Sequence, residues 1–324
     1  MTRFTYCLAI GAALAPMLCA APARAVAPGR VWVSSFGSDS SSCGGRTTPC
    51  ATFLQAQANV AAGGEISVLT PGDFGPLTIN QSLSITNDGS GEAGIQVTSG
   101  NAIFISAGAG DIVGLRGLIV DGAGTGGFGI TFLLGSALHV QNCVIRNFEG
   151  QATSTGLVFS PSGTSQLFVS DTIIYNNGQG ANSGGILVQP TTGSANVALD
   201  RVQLENNVFG LKVDGSIANA KGSRVIVRDS VFSGNAGDGL VALGAANAQG
   251  ALVFVIDSAF VGNTGNGILA NGAHGTVLLT DSVVTRNGAG INAVNSGQII
   301  SYQNNKIDGN VGSDGNPTST RTQH

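Results

Sequence analysis

One short phrase recurs from Asp229 onward: DSVFSGNAGDGL, then DSAFVGNTGNGI, then DSVVTRNGAGI. Each copy opens on Asp-Ser and runs through a few apolar residues. It reaches Asn six residues after the Asp, then Gly followed by Ile or Leu. Self-similarity of this kind restricts the architecture before any local preference is considered. A unit this short cannot bury its own apolar face, so it must stack on its neighbours.

The same frame extends through the chain, opening at Gln81, Arg116, Gln141, Asp171, Asp200, Asp229, Asp257, Asp281 and Asn304. The interval falls from 35 residues between Gln81 and Arg116 to 23 between Asp281 and Asn304. Six residues into the frames lie Asn87, Gly122, Asn147, Asn177, Asn206, Asn235, Asn263, Asn287 and Asn310. Asn and Gly tolerate left-handed backbone, so this column is expected to be one corner repeated in every unit. A second column pairs Gly with an aliphatic residue: Ile95, Ile130, Leu157, Ile186, Leu211, Leu240, Ile268 and Ile291. Runs such as ALHV, RVIV and LVFVI precede the frames. Three strands per unit leave no room for a helix of ordinary length.

Short strands joined by Gly and Asn corners keep such columns in register if each unit makes one circuit of a coil. Each strand then lies parallel to its equivalent one rung away, at ~4.8 Å. The expected fold is all-β: a right-handed parallel β-helix of about nine coils, three strands per coil, with stacked Asn along one corner.

Four segments are expected. Residues 1–25 have Arg3, an apolar stretch and Ala23-Arg24-Ala25, the pattern of a cleaved export signal, which places the chain in an extracellular or periplasmic setting. Residues 26–64 form a leading strand, loop and capping helix. Residues 65–310 form the coil, and 311–324 a flexible tail. In the second segment, Thr48 and Pro49 are expected to start a helix that buries Phe53, Ala56 and Val60 and covers the open end of the stack. Loss of Arg3 and Arg24 takes the net charge from −4 to −6. That excess of acid argues against nucleic acid and anionic membrane as partners. No run outside the signal is long enough to span a bilayer.

Three motifs in this leading part carry a resemblance. They are V-W-V-x-x-x-G-x-D at Val31 to Asp39, P-x-x-T-x-x-x-A at Pro49 to Ala56, and G-x-I-x-V-x-x-P-G-x-F at Gly64 to Phe74. Together with the repeats, residues 30 to about 310 resemble secreted bacterial right-handed parallel β-helix proteins of the pectin-lyase-like group. The resemblance implies the fold. It leaves activity open, because that group holds lyases, hydrolases, esterases, epimerases and proteins without known activity. The Asn-Thr-Asp and Arg-x-Lys of its polygalacturonase-like members are missing, and only Ala273-His274-Gly275 approaches their Gly-His-Gly.

Cys43 and Cys50 flank a short loop in an exported chain and are expected to form a disulfide. Cys143 falls in an apolar column with Leu118 and Ile173 and is expected to be an inert buried thiol. Candidates for a groove are Asp121, His139, Arg146 and Glu149, with His139 as a general base. The acids Asp171, Asp200, Asp229, Asp257 and Asp281 are expected to share one column and to cap their own turns. Ca²⁺ bridging Asp200, Asp229 and Asp257 is the alternative, and no other cofactor is indicated.

Two functions follow. The first is a non-catalytic surface or matrix protein that binds or scaffolds through its long sheet faces, with polysaccharide or cell-surface glycan as partner. The alternative is a polysaccharide-active enzyme, a lyase, hydrolase or epimerase on uronate-type polymers, with a divergent site.

Overall fold

Alternation of buried and outward residues sets the strands, and Gly, Asn and Asp at positive φ set the corners. A computed structural model describes residues 27–322, so the expected export signal lies outside the described residues. The chain winds as a right-handed parallel β-helix with three sheets of twelve, ten and nine strands. Each circuit passes through sheet 1, then sheet 2, then sheet 3. One circuit runs Ala137–Gln141, Val144–Arg146 and Thr155–Phe159, and returns to sheet 1 at Ser165–Ser170. The expected nine coils match sheet 3. Sheet 1 has three more strands, because Arg30–Val33 and Ser319–Thr320 extend its two ends and Gln298–Ser301 opens a circuit that has no sheet 3 strand.

The bore is filled by columns of like residues. Sheet 3 contributes Ile103, Ile130, Leu157, Ile186, Leu211, Leu240, Ile268 and Ile291 in register. All are buried. Burial of each such side chain is worth about 1.5–3 kcal/mol. Ile95, expected in this column, belongs to sheet 2 and pairs with Val120. Phe132 stacks on Phe159 at 4.8 Å and Phe232 on Phe260 at 4.5 Å.

Two corners carry hydrogen-bond ladders. Between sheets 2 and 3, the side-chain oxygen of Asn207 accepts from the Asn177 amide at 3.0 Å, and the pattern continues through Asn235, Asn263, Asn287 and Asn310 to Asp314. Each side-chain oxygen also takes the backbone N–H of the Asn one rung before it. Between sheets 1 and 2 a second ladder uses hydroxyls. The Cys143 N–H donates to Thr172, Val202 to Ser230, Ser230 to Ser258 and Ser258 to Ser282.

The Asn column differs from the expected one at three places. Asn87 lies at the sheet 1–2 corner, where its amide reaches the carbonyls of Gly91 and Gly117. Asn147 and Asn206 stand one residue before the ladder, at φ 60° and 52°. Phe148 and Asn207 take the ladder positions in those rungs, and Phe148 donates its N–H to the Asn177 side chain. The left-handed backbone belongs to this preceding position, not to the stacked Asn. Asp200 is displaced in the same sense. It pairs with Ser170 and Arg228 on the strand, and Arg201 takes the left-handed place between Asp171 and Asp229.

The helix spans Phe53–Asn59 and is capped by Thr52 rather than Thr48, because Asp39 takes the Ala51 and Thr52 N–H groups and the Thr52 hydroxyl. Phe53 and Ala56 are buried on the first rungs as expected. Cys43 and Cys50 are disulfide-bonded. Cys143 is buried in the hydroxyl ladder beside Leu118 and Thr172, not Ile173, and burial pushes its thiol up to about 11. The tail expected to be flexible is paired in its described part. Ser313 and Asp314 accept from Gly290 and Ile291, and Ser319–Thr320 closes sheet 1.

Candidate functional site

The outer face of sheet 2 brings candidate residues together. Its strands are three residues long on most rungs, so each presents two outward side chains, one on each side of a buried residue. One outward column is Gln96, Asp121, Arg146, Tyr175 and Glu205. The column beside it is Ile119, Val144 and Ile173. Polar and half-buried aliphatic groups thus run side by side on three successive rungs, at Ile119 and Asp121, Val144 and Arg146, and Ile173 and Tyr175.

The polar column is knitted together. Arg146 Nε donates to Asp121 Oδ2 at 2.7 Å and Arg146 Nη1 to the Tyr175 hydroxyl at 2.9 Å. Because Tyr175 accepts, its own proton is free to donate outward. The other Asp121 oxygen accepts from the Ala123 N–H and the Asn147 amide. Burial works to raise the Asp121 carboxyl, but these donors and Arg146 outweigh it and hold it below the usual range. The Tyr175 hydroxyl and the Asp121 carboxylate hold the Arg146 guanidinium above its ordinary value. At the head of the column a cavity of about 420 Å³ is lined by Asp73, Glu92, Gln96, Ile119, Asp121 and Arg146. An Asp73 oxygen accepts the Gln96 N–H at 3.2 Å.

Asp121 and Arg146 are therefore neighbours, whereas His139 and Glu149 do not join them. His139 lies on sheet 1, stacked on Phe168 at 4.7 Å, and burial pushes its imidazole down. Glu149 follows the ladder position and does not line the sheet 2 cavity. His139 cannot act as base for this face. Asp73, Glu92, Gln96 and Tyr175 were not foreseen. The signal lay in the repeat: Asp121, Arg146, Tyr175 and Glu205 each stand four residues after a left-handed corner residue, at Gly117, Asn142, Asp171 and Arg201.

Of the acids considered for Ca²⁺, Asp200 and Asp229 are engaged by arginine. Asp200 contacts both Arg201 and Arg228, and Arg201 also forks onto Asp171 at 2.7 and 3.0 Å. Arg228 reaches Asp229 at 3.6 Å. Arginines thus interleave Asp171, Asp200 and Asp229 and offset the repulsion between neighbouring carboxylates. Among the described residues, the one group of three candidate ligands within mutual reach is Asp39, Cys43 and Cys50, and both sulfurs there are in the disulfide.

No protein-family model and no curated protein sequence matches the chain. Solved structures do. Pectate lyase Pel9A superposes with a TM-score of 0.63 at 16% identity, over 88% of this chain and 78% of that one. An alginate lyase from Paenibacillus sp. str. FPU-7 matches at TM-score 0.42 and 15% identity, over 89% and 98% of the two chains. A lacto-N-biosidase from Eubacterium ramulus matches at 0.43 and 13%, over 90% and 67%. At these identities the likeness concerns the backbone alone. The chain is a parallel β-helix whose backbone superposes on that of pectate lyase Pel9A.

Proposed function

We propose that this is an exported polysaccharide-binding protein that holds a glycan chain along the outer face of sheet 2 and does not cleave it. The pairing of the two outward columns carries this reading. A sugar ring has a rim of hydroxyls and a face of C–H groups. Gln96, Asp121, Arg146, Tyr175 and Glu205 suit the rim, and Ile119, Val144 and Ile173 suit the face. The rung spacing of ~4.8 Å is close to the length of one pyranose unit. A non-catalytic role fits the Asp121 carboxylate, which already accepts from Arg146, the Ala123 N–H and the Asn147 amide, whereas the further carboxylates of Asp73 and Glu92 in the same cavity are what the enzyme reading would use. The disulfide suits an extracellular or periplasmic setting. No described helix is long and apolar enough to cross a membrane.

Affinity electrophoresis against neutral and acidic polysaccharides tests the reading. Retardation by at least one polymer is expected, weakened about tenfold in Arg146→Ala, with circular dichroism showing an intact fold. Equal retardation of the variant, or none by any polymer, would remove sheet 2 as the binding face. The second reading, a polysaccharide-active enzyme, draws on the overlap with pectate lyase Pel9A. Unsaturated or reducing-end products from uronate polymers, with or without Ca²⁺, would replace the first reading by the second.

A further inference from the structure

The corner between sheets 3 and 1 holds a second cavity, of about 410 Å³, at the starts of four successive sheet 1 strands. It arises from a step in corner length. The connections spanning 216–222 and 245–250 are long, whereas 272–274 and 295–297 are short. The long corners overhang, and the short ones leave space below. Lys221, Arg224, Gln249, His274, Thr276 and Gln298 line it.

The cavity is lined by cations and by no acid. Arg30, Arg116, Arg146, Arg201 and Arg228 are each paired with an acid. Lys221 and Arg224 have no ion-pair partner among the described residues, and no Asp or Glu lines the cavity. Two uncompensated cations therefore meet in one concave place on a chain of net charge −4.

His274 is held in place beneath them. Its Nδ1 lies 2.5 Å from the Ala248 carbonyl, which can only accept, so the proton sits on Nδ1 and Nε2 is the nitrogen left over. Its carbonyl accepts the Ala251 N–H at 2.9 Å. Gly250 passes so close, at φ 81°, that a Cβ there would stand 2.2 Å from the His274 oxygen.

We propose that this cavity is an oxyanion-binding site, separate from the sheet 2 face, in which Arg224 and Lys221 hold a carboxylate, sulfate or phosphate group. A guanidinium offers paired donors to two oxygens, and the lysine adds a mobile point charge. The group is either a free small anion or one carried on a sugar. Both present the same oxygens to the cavity.

Titration calorimetry on the mature chain at fixed ionic strength separates these. The probes are sodium sulfate, sodium phosphate, the monosaccharide glucuronate and polyglucuronate, against a sodium chloride baseline. At least one probe should bind with 1:1 stoichiometry per site. Arg224→Gln and Lys221→Gln should each weaken it about tenfold, and the double variant should abolish it. Both side chains are exposed, so the fold should stand, and the melting temperature checks this. Arg146→Ala on sheet 2 should leave small-anion binding unchanged, so this site and the sheet 2 reading fail independently. Tightest binding of inorganic anions identifies a free ligand, and tightest binding of glucuronate or its polymer identifies a sugar-borne one. No binding above the chloride baseline, or small-anion or glucuronate binding that survives the double variant, overturns the proposal.

Discussion

The corners of this coil follow two different rules. Between sheets 1 and 2 the chain turns in the same way on successive rungs, at Asp171-Thr172, Asp229-Ser230, Asp257-Ser258 and Asp281-Ser282. The first residue of each pair is left-handed, and the second bonds its equivalent one rung away. The Asn ladder between sheets 2 and 3 is as regular. The corner between sheets 3 and 1 has only a short run of such contacts on its early rungs, from Thr192 to Ser162 and from Ser194 to Thr164, and its length changes from rung to rung. The laddered corners satisfy buried polar groups and fix register. The unladdered corner is free to vary, and there the chain forms a charged cavity.

The largest effect should come from breaking a ladder. Asn235 is fully buried. Its side-chain oxygen takes the Asn207 N–H and amide, and its own amide serves Asn263 and the Leu204 carbonyl. Asn235→Leu leaves several of these groups unpaired in the interior and should cost about 3–5 kcal/mol. Asn247→Ala, in the exposed loop 245–250 of the unladdered corner, should change stability by under about 0.5 kcal/mol. Urea midpoints check both. Similar midpoints would mean that the ladder does not hold the coil together.

Gly250→Ala should be next, because it strains the unladdered corner where that corner is tight. The added Cβ meets the His274 carbonyl on a backbone at positive φ, at a cost of about 1–3 kcal/mol. It should also weaken oxyanion binding, by moving His274. A variant with wild-type stability and wild-type binding would show this corner to be as pliable as its length variation implies. Ser258→Ala should cost less, about 1 kcal/mol, since it removes one acceptor from the Ser230 N–H. Val202 already occupies an equivalent place in the hydroxyl ladder, so the corner tolerates such a gap.

The same contrast explains what the sequence made legible. Stacking imposes a repeat on every residue that faces the bore or a ladder, so the coil, the aliphatic columns and most of the Asn ladder could be read. Three errors were single-residue slips, at Asn147, Asn206 and Asp200, while Asn87 and Ile95 belong to another corner and another sheet than expected. At Asn206 and Asp200 the true ladder or corner residue, Asn207 or Arg201, stands immediately after one of similar type or charge partnership. A slip of one residue reverses inside and outside along a strand. His139 was misplaced for another reason. Proximity within a repeat does not say which sheet a side chain leaves, and His139 and Arg146 leave different ones. The oxyanion cavity is legible only as differing lengths of 216–222, 245–250 and 272–274, and its lining residues come from separate rungs.

The smallest effect concerns the sheet 2 face, which lies between the two laddered corners and borrows its order from them. Its folded Asp121 has a carboxyl pKa below the ordinary 3.8. A depressed carboxyl stabilises the fold above the unfolded value, and that contribution is lost as pH falls through the folded one. The Asp121–Arg146 pair is partly exposed, so its net worth is about 1 kcal/mol or less. Asp121→Asn should therefore lower stability slightly from pH 8 to 5, and the gap to wild type should close below about pH 4, as Asp121 in the wild type takes up a proton. Urea midpoints across that range measure it. A gap that stays constant to pH 2 would mean that the ion pair adds nothing. The polar column would then be held in line solely by the ladders on either side, and Asp121 and Arg146 would be free to serve a ligand at no cost to the fold.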